Sequence, residues 1–180
     1  MKKVLTCALL IAAIAVPAAF GQLRFEIGAN APLAVGYLSD TVPAEDSIYG
    51  LIEEAGIIPI PNLALFLQAD LGLLKIGVGA KVQSIILYSL AYPAAQVEIA
   101  LGNFSIDASL GGYYFGYYAI GGIYGLEEMD ILLPDISVWL GLGKRNAFRI
   151  GGGAIGAIPT SMDISEVPYI AYAGLKIVLQ

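Results

Sequence analysis

The sequence predicts an all-β fold: an eight-stranded antiparallel up-and-down transmembrane β-barrel that follows a cleaved signal peptide. Three observations carry this. First, the chain is 58% hydrophobic with a mean hydropathy of +0.77, whereas soluble domains hold about 45–50% apolar residues. Second, its longest uncharged stretch after the leader, Ala108 to Leu126, holds six glycines and five tyrosines, which disfavours a helix and favours strands. Third, apolar and polar residues alternate with a period of two in eight segments. A non-helical chain in lipid must satisfy every backbone hydrogen bond internally, and only a closed barrel does so.

The amino terminus reads as a signal peptide over residues 1–21, leaving 22–180 for one barrel domain. Lys2 and Lys3 form the basic region, Val4 to Val16 the apolar core, and Ala19-Phe20-Gly21 the small-x-small cleavage site. Cys7 does not follow the apolar core, so a lipoprotein reading is set aside. Beyond the leader there is no cysteine, and the whole chain has no histidine, so disulfides, thiol chemistry and the usual zinc ligands are excluded.

The strands follow from parity. Leu23, Phe25, Ile27 and Ala29 oppose Gln22, Arg24, Glu26, Gly28 and Asn30. The second strand sets Leu63 to Ala69 against Ala64, Phe66, Gln68 and Asp70, and the third sets Leu74 to Val82 against Lys75, Gly77, Gly79, Lys81 and Gln83. Strands four and five place Gln96, Glu98, Ser105, Asp107, Ser109 and Gly111 on the polar face. Strand six adds Asp135, Ser137, Trp139, Gly141 and Gly143; strand seven adds Arg149 and Gly151; strand eight runs Ala171 to Leu179 with Tyr172, Gly174, Lys176 and Val178 inward. Short turns are expected near Asp70 to Gly72, Gly102-Asn103 and Lys144 to Asn146, and long links over Ser39 to Ile57, Ser89 to Ala94, Tyr118 to Ile131 and Pro159 to Val167. Pro59, Pro61, Pro93, Pro134, Pro159 and Pro168 then fall in loops or at strand ends. Phe25, Phe104 and Phe148 form a girdle at the short-turn end, and Tyr37, Tyr88, Tyr92, Tyr114 and Tyr169 one at the other.

With eight strands and these turns in place, the chain resembles the small outer-membrane barrels, the class of the OmpA transmembrane domain, OmpX and OmpW. The most specific piece is the last strand, where Tyr172, Gly174, Ile177 and Leu179 resemble the family's outer-membrane assembly signal. Leu179 stands where the family usually carries an aromatic residue, and Gln180 adds one residue beyond it. The resemblance implies an outer-membrane location, the lipid bilayer and lipopolysaccharide as surroundings, and the outer-membrane assembly machinery as a partner.

Charge separates by element. Asp40, Glu45, Asp46, Glu53, Glu54, Glu127, Glu128, Asp130, Asp163 and Glu166 all fall in the expected long links, without a basic residue among them. Such a rim suits solvation, divalent cations or a partner surface, and has the wrong sign for nucleic acid. Arg24, Glu26, Asp70, Lys75, Lys81, Glu98, Asp107, Arg149 and Lys176 face the lumen by parity and are expected to pair there as a polar plug. Inward Gly28, Gly77, Gly79, Gly111, Gly141, Gly143, Gly151, Gly153 and Gly174 leave two readings open, strand coiling or a partly wet lumen.

Gly151-x-Gly153-x-x-Gly156 has dinucleotide-binding spacing, but Pro159 follows instead of a helix. Gly112-x-x-x-Gly116 could serve helix pairing only if the segment were helical. No catalytic residue, metal site or cofactor is expected. The leading reading is a non-enzymatic surface or structural barrel; a narrow cation or solute channel and a soluble periplasmic carrier of an apolar ligand are the alternatives. The carrier would require the opposite parity, with the apolar face inward.

Overall fold

The computed structural model describes residues 21–37, 59–85, 88–120, 123–159 and 167–180. Of the expected leader, 1–21, residues 1–20 lie outside them and Gly21 opens the first strand; Asp40, Glu45, Asp46, Glu53, Glu54, Asp163 and Glu166 also lie outside. Among the described residues nine strands form one sheet: β1 (Gly21–Tyr37), β2 (Ile60–Asp70), β3 (Leu74–Ile85), β4 (Tyr88–Leu101), β5 (Phe104–Ile120), β6 (Ile123–Leu142), β7 (Phe148–Gly156), β8 (Ile158–Pro159) and β9 (Pro168–Leu179). All pairings are antiparallel, β1 closes on β9, and the β5–β6 ladder completes the ring. Because β7 and the two-residue β8 both lie along β6, the wall has eight staves, as the alternation predicts. Pro134 of β6 falls where β7 gives way to β8; lacking an N–H, it interrupts the ladder there.

Burial gives the barrel its polarity. Leu23, Ile27, Leu65, Ile76, Ile99, Val138, Ile150 and Leu175 are among twenty-four exposed large apolar side chains of the described residues. Ten polar or charged residues are buried there against nine hydrophobic ones. Water would penalise that exterior by about 25 cal/mol per Å² of apolar surface, so the belt is built for lipid, and the apolar-in alternative is ruled out by its own parity. Phe104 and Phe148 stand exposed at the short-turn end, as a lower girdle requires.

Several boundaries differ from expectation. The stretches read as long links at Ser89 to Ala94 and Tyr118 to Ile131 are mostly strand: β4 begins at Tyr88, β5 runs to Ile120 and β6 starts at Ile123. Ile120 pairs with Ile123, so the connection spans only two residues. Glu127, Glu128 and Asp130 therefore belong to β6, with Glu127 opposite Gly116 and Glu128 opposite Phe115, and not to an acidic loop. Aromatic and β-branched residues such as Tyr117, Tyr118, Ile120 and Ile123 favour extension of the ladder. Pro93 sits inside β4 where the β4–β5 register shifts between Ala91 and Ala94, so a bulge absorbs its missing donor. Tyr92 is 3% exposed and points into the barrel, which removes it from the outer girdle; the two-residue period of Glu98, Gln96 and Ala94 simply continues to it.

At the short-turn end, Gly72 (φ 87°), Gly102 (φ 67°) and Gly143 (φ 75°) supply the left-handed conformations that these turns need. Gly143 is thus a turn residue instead of a lumen one, and a Cβ there would meet nothing.

Candidate functional site: the lumen

Inward side chains of β1, β4, β5, β7 and β9 converge on one network of charges. Glu98 of β4 is its hub. Arg149 of β7 donates to both its carboxylate oxygens, Nη1 to Oε2 at 3.1 Å and Nη2 to Oε1 at 3.2 Å, and Arg24 of β1 donates to Oε2 as well. Such fork-to-fork geometry is the strong form of a charge-assisted bond. Arg24 also donates through Nε to Glu26, and its Nη2 lies 3.6 Å from Asp107 of β5. Lys176 of β9 bridges Asp107 (2.6 Å) and Glu26 (3.2 Å), with its ammonium 4.4 Å from the centre of the Trp139 ring.

Further from the short turns, Lys81 of β3 donates to Asp135 of β6 at 3.0 Å and to Ser109 at 2.6 Å, while the Tyr172 hydroxyl donates to the other Asp135 oxygen at 2.7 Å. The structure adds Asp135 to the lumen charges expected from parity; its two-residue spacing from Ser137 and Trp139 is the signal that identifies it. At the other limit, Asp70 lies at the rim. Its carboxylate is 40% exposed, accepts from the Gly72 N–H at 2.8 Å, and is 3.8 Å from Lys75, so the turn holds it and not the plug. Lys75 reaches Glu98 only at 3.9 Å and donates to Gln180 at 3.3 Å.

Counting these partners, five cations face five carboxylates among the described residues, so the network is close to neutral. Burying charge is costly unless it is paired and hydrogen-bonded, and here each buried ion touches an opposite one. Phe66, Tyr92, Ala94 and Leu133 pack beyond it in an apolar layer with Leu90, Ile131 and Ala157. The inward glycines make room for large neighbours. A Cβ at Gly111 would come 2.4 Å from the Tyr92 ring, and one at Gly174 would approach Asn30 and Trp139 at 2.5 and 3.3 Å. Beside the network lies a cavity of about 40 Å³ bordered by Gln96, Asp107, Ser109, Asp135 and Tyr172, enough for a few water molecules. Gln96 Oε1 and Asp107 Oδ1, both buried without a protein partner, are natural acceptors for such water.

Tyr172 and Gly174 of β9 face inward, whereas Ile177 and Leu179 are 42% and 53% exposed on the outer face. Tyr169 packs beside Gly36. The side chains of Tyr37, Tyr88 and Tyr114, expected in the upper girdle, lie outside the described residues. Among the described residues no group of three or more histidine, cysteine or acidic side chains is arranged to hold a metal.

No protein-family model and no curated protein matches the chain. Among solved structures, it is similar to the N-terminal β-barrel domain of Pseudomonas aeruginosa OprF, with a TM-score of 0.48 and 10% identity over 88% of this chain and 99% of that one. It is similar to neisserial surface protein A (NspA), with a TM-score of 0.43 and 10% identity, covering 86% and 95%. It is also similar to Ail, the attachment invasion locus protein of Yersinia pestis, with a TM-score of 0.44 and 11% identity, covering 89% and 99%.

Proposed function

We propose that this chain is a non-enzymatic barrel of the bacterial outer membrane, closed to ions, whose role is structural or lies in contacts made at the cell surface. The observation that carries the reading is the inversion of the barrel, an apolar exterior around a lumen spanned by paired charges that cross it. A pore needs a continuous aqueous path, and the Arg24–Glu98–Arg149 contacts cross the lumen where that path would run. Asp40, Glu45, Asp46, Glu53 and Glu54, which fall in sequence between β1 and β2, and Asp163 and Glu166, between β8 and β9, are acids of a kind that suits divalent cations bridging to lipopolysaccharide. Tyr172, Gly174, Ile177 and Leu179 serve recognition by the assembly machinery, and Met1 to Gly21 serve export.

Cell fractionation and planar-bilayer recording test this together. The protein should sediment with outer membranes, retain its β-sheet circular dichroism in detergent, and give silent bilayers. Recovery in the soluble periplasmic fraction would reject the membrane location, and steady cation-selective currents would replace the closed barrel with the channel. Ile177→Asp with Leu179→Asp should reduce membrane yield, because both side chains face outward.

A further inference from the structure

Among the described residues, the three turns at the short-turn end differ in chemistry. Lys144 and Arg145 make the β6–β7 turn basic, and Gly102-Asn103 makes the β4–β5 turn polar. The β2–β3 turn is Leu71-Gly72-Leu73, running directly into Leu74. Tight turns draw on glycine, proline, asparagine, aspartate and serine because the bend needs special φ values or local hydrogen bonds. Only Gly72, at φ 87°, meets such a need here, so the bend itself does not call for the leucines. Yet Leu71 and Leu73 are 64% and 67% exposed, and Leu73 is the most exposed large apolar side chain among the described residues.

Two observations indicate what covers them. The first is continuity with the apolar belt. Leu67, Ala69 and Leu71 keep the outward parity of β2, and Leu74 and Ile76 that of β3, so the turn prolongs the lipid-facing surface without a polar break. The neighbouring charges take the other parity: Asp70 and Lys75 face each other in the ladder on the lumen side, and Asp70 accepts from the Gly72 N–H. The Leu71 N–H donates to the Leu74 carbonyl, and the Leu73 carbonyl accepts from the Ala100 N–H of β4, both at 2.8 Å. Backbone groups bonded within the protein need no water, which is the condition for backbone that enters a bilayer. The second observation is the charge across the barrel. Following the staves in order, the β2–β3 and β6–β7 turns lie on opposite sides of the ring, and Arg145 stands exposed on the latter. A basic turn suits the level of the lipid phosphates, and a leucine turn the layer beneath it.

We propose that the β2–β3 turn is a lipid anchor. Leu71 and Leu73 are sunk into the acyl boundary of the leaflet at the short-turn end, while the β6–β7 turn opposite stays among the headgroups, so the barrel is seated unevenly. The inference rests on the membrane location proposed above and deepens it. A periplasmic protein could also cover exposed leucines, but the unbroken join between this turn and the apolar belt favours lipid.

The exported protein, without substitution, tests this in phosphatidylcholine vesicles doped with a phosphatidylcholine that carries a diazirine on its acyl chain. Illumination should leave adducts at Leu71 or Leu73 as well as at Ile76, and none over Lys144 to Asn146. Adducts at Ile76 without any at Leu71 or Leu73, or equal labelling of the two turns, would overturn the anchor. A lack of adducts at Ile76 too would reject the membrane location, and the anchor with it. Nitroxide labels give a second reading, since Cys7, the one cysteine of the chain, lies in the expected leader. The ratio of collisions with oxygen to collisions with a water-soluble nickel chelate should be several-fold higher for Leu73→Cys than for Arg145→Cys, and close to that for Ile76→Cys. Equal ratios at the two turns would put the leucines in water, reject the anchor and leave them to a periplasmic protein.

Discussion

The two ends of the described lumen solve the same packing problem with opposite chemistry. Toward the short turns, inward positions carry Arg24, Glu26, Glu98, Asp107, Arg149 and Lys176, each at most 6% exposed and each paired. On β2, on β6 and on the part of β4 before Glu98, Phe66, Leu133, Tyr92 and Ala94 fill the barrel by volume alone. The charged end depends on completeness of partners, because removing one ion strands another. The apolar end depends on shape, because removing atoms leaves a void. One wall and one parity can support either, so the strand pattern sets which residues face inward but not which kind of energy holds them.

The largest expected effect lies at the hub of the charged end. Glu98→Ala leaves Arg24 and Arg149 facing each other across a buried space, and loss of one partner of such a group costs on the order of 3–5 kcal/mol. Thermal unfolding in detergent should show a clear drop in the midpoint. A change of a degree or two would mean that water reaches the network, and would blur the contrast between the ends. At the apolar end, Leu133→Ala should cost about 2–3 kcal/mol, the low part of the range for buried leucines, because neighbouring Leu90 and Ile131 are only partly buried and can relax inward. A loss as large as that at Glu98 would show that both ends are equally rigid.

A smaller effect is expected at Asp70, which shares its parity with the plug but not its burial. Asp70→Asn should cost less than about 1 kcal/mol, since a 40% exposed carboxylate 3.8 Å from Lys75 is well screened. Equal damage from Asp70→Asn and Glu98→Ala would erase the distinction between rim and plug.

The period of two made most of this legible. Arg24, Glu26, Glu98, Asp107, Arg149 and Lys176 alternate with apolar residues so regularly that their common face could be read directly. Which carboxylate meets which cation could not, because pairing depends on stagger between strands distant in sequence, as between Glu26 and Lys176. Two cues misled. Proline reads as a loop residue, yet Pro93 is accommodated beside a bulge, and an acidic run reads as a loop, yet Glu127 and Glu128 continue β6. Tyrosine near a strand end reads as a girdle residue, yet Tyr92 keeps the inward parity of its strand and occupies the space that Gly111 leaves.

The smallest expected effect tests the apolar end from the opposite direction. Tyr92 is 3% exposed, and its hydroxyl oxygen is buried without a protein partner. An unsatisfied buried hydroxyl costs on the order of 1–3 kcal/mol of desolvation, so its removal need not destabilise. The ring itself supplies the packing against Gly111, and phenylalanine preserves that contact. Tyr92→Phe should therefore leave the thermal midpoint unchanged or raise it slightly, although it deletes a polar group from the same strand that carries Glu98. If the midpoint instead falls by an amount comparable to Leu133→Ala, the hydroxyl must be bonded to internal water. The aqueous region bordered by Gln96 and Asp107 would then extend into the layer assigned here to packing alone, and the boundary between the two ends would move outward past Tyr92.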